Sequence, residues 1–62
     1  MKKFIEIHEY TGASIWMNID KIEYFERSEY CEAEAHIFTS SNDLKLRETP
    51  EEILKLIEEA QK

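Results

Sequence analysis

The stretch "TPEEILKLIEEA", Thr49 to Ala60, carries the clearest helical period in this 62-residue chain, and it constrains everything before it. Thr49 is a good N-cap, Pro50 suits the first helical position, and Glu52 completes a capping box with Thr49. Ile53, Leu56, Ile57 and Ala60 follow at i, i+3, i+4 and i+7, one apolar stripe. Glu51 and Glu52 lie at the positive end of the helix dipole, with Lys55 and Lys62 further along. Such a stripe needs a surface to cover. The residues before it must supply one.

They do so by alternation. In "FIEIHEY", Ile5 and Ile7 point one way and Phe4, Glu6 and His8 the other, the period of a strand. Thr11-Gly12 is a tight-turn signal, because glycine tolerates positive φ. "ASIWMNI" then sets Ile15, Met17 and Ile19 against Ser14, Trp16 and Asn18, so a hairpin is expected. Asn18 and Asp20 form a corner. The next strand, "IEYFE", alternates Ile22 and Tyr24 with Glu23 and Phe25. After a polar break at "RSEY", "CEAEAHIFTS" sets Cys31, Ala33, Ala35 and Ile37 against Glu32, Glu34, His36 and Phe38. This reads as a fourth strand, although Glu and Ala favour helix. "SSND" is a turn, and "LKLRE" a fifth strand with Leu44 and Leu46 inward. The expected fold is α+β: one domain spanning residues 1–62, a single antiparallel meander of about five strands, and a C-terminal helix on one face.

Size and charge narrow the function. A chain this short buries only about 60% of its unfolded surface, so its stability is marginal. Small scaffolds usually add disulfides, a metal or a partner subunit. One cysteine, Cys31, makes no internal disulfide and suits a reducing, cytoplasmic setting. Paired Cys or His at zinc-binding spacing are missing. Packing or self-association is left, and a homodimer is expected. Fourteen acids against eight bases give a net charge of −6. That disfavours direct nucleic-acid binding, which wants a basic stripe, and binding to anionic membrane surfaces. No apolar run approaches the roughly 20 residues of a membrane helix. A single glycine forbids a phosphate-cradling loop.

The sheet face away from the helix is the place to look for function. Phe4, Trp16, Phe25 and Phe38 fall there, interleaved with charged residues such as Glu6, Glu23, Lys45 and Arg47. An apolar centre with a charged rim marks a partner site. The bland alternative is that the sheet curls and these rings form a second small core. The acidic residues Glu23, Glu26, Glu29, Glu32 and Glu34 form a solvated surface, or protect an exposed edge. Glu34 and His36 share a face, but one carboxylate and one imidazole make a poor metal site. Cys31 reads as a small buried residue, and the carboxylates around it dull a thiolate. No catalytic residue, cofactor or metal is expected, and the chain reads as no enzyme.

The run "YTG", "IWMNIDKIEYFE", "AHIFTS" and "LKLRETPEEILKLI" resembles the small flagellar and swarming-motility proteins of bacteria. Gly12 matches their turn glycine and Asn18 their corner asparagine. Ile22 and Glu26 match the third strand, and Leu46 to Thr49 the lead into the helix. Ile19 stands where their corner proline is expected, and the middle is longer and more acidic. The same run also resembles the core of LytTR-type DNA-binding domains. Either resemblance implies a small meander plus helix; only the first implies a motility role.

The leading expectation is a non-enzymatic cytoplasmic interaction module, bacterial or encoded by a phage or mobile element. It would use its aromatic sheet face on itself or on a protein partner. The alternative is an acidic inhibitor mimicking nucleic acid. Outward strand residues sit about 6.8 Å apart, close to a phosphate repeat.

Overall fold

A computed structural model describes residues 2–62. It has five antiparallel strands and one C-terminal helix, an α+β arrangement as the sequence predicts. Strands β1 (Phe4–His8) and β2 (Ser14–Asn18) form the expected hairpin. Its turn is closed by Glu9 N–H donating to the Ala13 carbonyl at 2.8 Å and Gly12 N–H to that of Glu9 at 2.8 Å. Gly12 sits at φ 103°, a backbone region that side chains rarely adopt.

Past Asn18 the chain departs from a single meander. The Asn18 side chain accepts a hydrogen bond from Asp20 N–H at 2.9 Å, capping a 3-10 turn at Ile19–Lys21. That turn swings β3 (Ile22–Arg27) away from β2, so the two do not pair. β3 instead starts a second sheet, with β4 (Ala35–Thr39) and β5 (Asp43–Leu46) in the order β3-β4-β5. β1 offers its far side to β5: Glu9 bridges Leu46, Arg47 N–H donates to the His8 carbonyl at 2.9 Å, and Tyr10 N–H to that of Lys45 at 3.1 Å. The strands therefore follow one another in space as β2-β1-β5-β4-β3.

Two further expectations are corrected. The β3–β4 register shifts between Ile22 and Tyr24. A bulge changes the facing of every residue after it. Ile22 and Phe25 thus both pack against the core, and Tyr24 turns outward. The expected strand from Cys31 to Ser40 begins only at Ala35. Ser28 to Glu34 form a loop, held by Ser28 N–H to the Glu34 carbonyl (3.1 Å) and Ala33 N–H to the Tyr30 carbonyl (3.2 Å). The weak strand propensity of Glu and Ala decides this segment. Cys31 is exposed in the loop rather than buried.

The core joins both sheets to the helix. Ile5, Ile7, Met17, Ala35, Ile37, Leu46, Ile53 and Ala60 are buried together. Leu56 and Ile57 pack against them half-buried, so the predicted helix stripe lies where expected. Helix α1 (Pro50–Ala60) has the full capping box: Glu52 N–H donates to Thr49 Oγ1 (3.1 Å) and Thr49 N–H to Glu52 Oε1 (2.9 Å). The helix contacts β1 more than any other strand. Its lead-in residue Glu48 bonds His8 at one end of β1, and the Ala60 carbonyl accepts from Lys2 N–H at 2.8 Å beyond the other end. Near its first turn, the Arg27 guanidinium bonds Glu51 and holds that carboxyl below its ordinary value of 4.5. No helix among the described residues is long and apolar enough to cross a membrane.

The cap predicts a measurable loss. Thr49→Ala is expected to cost about 1 kcal/mol, a fall of roughly 4–8 °C in melting temperature for a chain of this size. A thermal melt indistinguishable from wild type would show that the box contributes nothing to stability.

Candidate interaction surface

Alternation along β3, β4 and β5 places two rows of side chains on the outer face of this sheet. One row runs Glu26, His36, Lys45; the other runs Tyr24, Phe38, Asp43. The second row meets the first through stacked rings. Tyr24 and Phe38 have centroids 4.4 Å apart and planes 14° apart. His36 stacks on Phe38 at 4.4 Å and 26°. Tyr30, from the loop, sets its ring edgewise to His36 at 6.3 Å, and Lys45 Nζ lies 4.0 Å from the Tyr30 centroid. His36 Nε2 also contacts Asp43 Oδ2, which fixes the imidazole on its other side.

The physical effect is order without burial. Each aromatic pair contributes about 0.5–1.5 kcal/mol beyond area, and the cation over Tyr30 adds about 0.5–1 kcal/mol at an exposed site. Yet Tyr24 remains 54% exposed and Tyr30 48%. Rings already held in place lose little rotamer freedom when a partner arrives. The surface is apolar at its centre and charged at its edge, with Glu26, Asp43 and Lys45 around the rings.

The predicted aromatic residues divide three ways. Phe38 is in the stack. Phe25 is not on this face at all; the bulge turns it to the core. Phe4 and Trp16 lie on the outer face of the other sheet, as diagonal neighbours across β1 and β2. The acidic residues are all exposed. Glu23 and Glu26 are on β3, but Glu29, Glu32 and Glu34 are in the loop, not on an outward strand face. Glu34 does not pair with His36; its backbone N–H donates to the Leu46 carbonyl at 2.8 Å. Tyr24, Tyr30, His36 and Lys45 were not anticipated as members of one stack. A signal for Tyr24 was present: apolar Ile22 and Phe25 are three apart, which strict alternation cannot place on one face.

A second feature lies between β1 and α1. An open groove of about 470 Å³ is lined by Glu6, His8, Glu48, Glu52, Lys55 and Glu59, among others. Glu48 Oε2 holds His8 Nδ1 at 2.7 Å while Oε1 accepts the His8 backbone N–H at 2.8 Å. A carboxylate-held imidazole is how a general base is oriented. Here no hydroxyl or thiol lines the groove for it to activate. Among the described residues, no group of three or more His, Cys, Asp or Glu is placed to hold a metal ion. No protein-family model, curated protein or solved structure matches the chain.

Proposed function

We propose that this protein is a non-enzymatic interaction module whose partner-binding surface is the outer face of β3-β4-β5. The observation that carries this reading is the ordered yet exposed stack of Tyr24, Phe38, His36 and Tyr30. Centres of protein interfaces are enriched in such aromatic anchors, ringed by polar residues. The phosphate-mimic reading has less support, because Glu29, Glu32 and Glu34 lack regular strand spacing. No family match carries a motility role, so the reading rests on the surface alone.

The test is site-specific photo-crosslinking in the native cell. A photoreactive side chain at Tyr24 is expected to trap one discrete protein. Adding Phe38→Glu, which puts a charge into the stack, should abolish the adduct. The same photoreactive group at Leu54, exposed on the helix, should trap nothing specific. No adduct at Tyr24, or the same adducts at both positions, would remove the proposal.

A further inference from the structure

The edges of the two sheets are treated unequally. An open strand edge is a template for another chain, and proteins blunt it with a covering helix, a bulge or charge. The far edge of β1 is covered by α1, Glu48 and the Arg47 backbone. The free edge of β3 has a bulge and carries Glu23, Glu26 and Arg27. β2 has none of these. Its sequence, "SIWMN", has no titratable side chain, no proline and no bulge, and β1 pairs with it in unbroken register.

Hydrogen-bond parity shows which β2 groups are free. Beyond the two ends of the strand pair, Ile19 N–H donates to the Lys3 carbonyl and Glu9 N–H to the Ala13 carbonyl, both at 2.8 Å. In this ladder the odd-numbered residues therefore exchange bonds. The main-chain N–H and C=O groups of Ser14, Trp16 and Asn18 point away from β1. Among the described residues, those of Ser14 and Trp16 and the Asn18 N–H find no main-chain partner, while the Asn18 carbonyl opens the 3-10 turn at Ile19–Lys21.

We propose that β2 is a docking edge for a second copy of this chain, pairing antiparallel with the partner's β2 about a twofold axis at Trp16. The strand is complementary to itself in one register. Trp16 faces the partner's Trp16, Ser14 faces the partner's Asn18, and Ile15 faces the partner's Met17. This register sets all three outward residues of each strand against three of the other, for about four main-chain hydrogen bonds between groups otherwise without a partner. A slip of two residues in either direction loses one residue pair. The register centred on Trp16 also brings together the Trp16 side chains of the two copies, each 65% exposed in a single copy and each with its own Phe4 as diagonal neighbour. Half-buried Ile15 gains cover on its open side.

Charge permits the pairing despite −6 on each copy. Glu6 stands beside Trp16 on β1, so it is separated from the partner's Glu6 by three strand spacings. That is about 14 Å, beyond a Debye length of about 8 Å at physiological salt. The dimer leaves the outer face of β3-β4-β5 open in both copies, so it stands or falls independently of the partner surface proposed above.

Sedimentation equilibrium at tens of micromolar is expected to give twice the 7.4 kDa monomer mass. Trp16→Lys and Trp16→Glu should each sediment as monomers with unchanged far-UV circular dichroism, since the side chain is exposed. Like charges directly opposite one another on paired strands destabilise, and opposite charges stabilise. An equimolar mixture of the two variants should therefore form a heterodimer about tenfold or more tighter than either homodimer. In the wild type, the Trp16 amide should exchange slowly at high concentration and fast on dilution. A monomeric wild type, variants that dimerise like wild type, a mixture no tighter than its components, or fast Trp16 exchange at every concentration would each overturn the proposal. So would a wild-type dimer that Tyr24→Glu dissociates and Trp16→Lys does not.

Discussion

Replacing Ile53 by alanine is expected to unfold the protein, or nearly so, at room temperature. Ile53 is fully buried, at the point where the helix enters a core built from both sheets. Truncating a buried isoleucine to alanine costs about 2–5 kcal/mol, the transfer of the lost methyl groups plus the cavity left behind. A single core in a chain this small supplies only about 3–5 kcal/mol in total. The two ranges overlap, so most of the folded population should be lost. Leu56→Ala and Ile57→Ala should cost less, because both side chains are only half-buried. Leu54→Ala, 51% exposed on the same helix, should stay within about 0.5 kcal/mol of wild type. Urea titration followed by far-UV circular dichroism gives the order. An Ile53→Ala midpoint equal to that of Leu54→Ala would show that the helix does not hold the two sheets together.

The second large effect is expected at Glu48. Its side chain is 14% exposed and does two things at once. One oxygen accepts the backbone N–H of His8, completing the edge of β1 where β5 no longer reaches; the other holds the His8 ring. Glu48→Ala leaves that main-chain donor without its partner, at about 1–3 kcal/mol. The imidazole contact adds little, because the His8 side chain is 41% exposed and water screens it. Glu48→Gln keeps an oxygen for the His8 N–H and should recover most of the loss. If alanine and glutamine prove equally harmful, the charge rather than the backbone hydrogen bond matters. If both are silent, Glu48 does not close the edge.

Local chemistry was legible in the sequence wherever one residue type dictates the outcome. Thr49, Pro50 and Glu52 announce the helix start, Gly12 the hairpin turn, and Asn18 the corner. Each acts on backbone groups within a few residues of itself. Two features depended on distant partners and were not legible, and a third misleads through its local pattern. The joining of the two sheets follows from β1 finding β5 across the chain. Phe25 faces inward because one residue bulges out upstream of it. The alternation of "CEAEA" suggests a strand for Glu32 and Glu34, yet alternation of small and charged residues gives a strand little to bury. The candidate surface suffered most. One wrong parity in β3 exchanged Tyr24 for Phe25, and a tyrosine from the loop closed the stack from outside the strand pattern.

The positions of the ring side chains also determine what light can report about this molecule. Trp16 is the only tryptophan and is 65% exposed; Tyr10, Tyr24 and Tyr30 are exposed at 40%, 54% and 48%. None of these chromophores lies among the buried residues. In the monomer, losing the core therefore changes the indole environment little, and at concentrations below dimerisation emission should stay near the wavelength of a hydrated indole through most of a melt. Ellipticity in the far ultraviolet should meanwhile fall cooperatively. Disagreement between two such probes is ordinarily taken as a sign of an intermediate; here it would arise in a chain that unfolds in one step. Intrinsic emission instead senses whatever touches the hairpin, and the methyl resonances of Ile7, Ile37 and Ile53 are the internal reporters of folding.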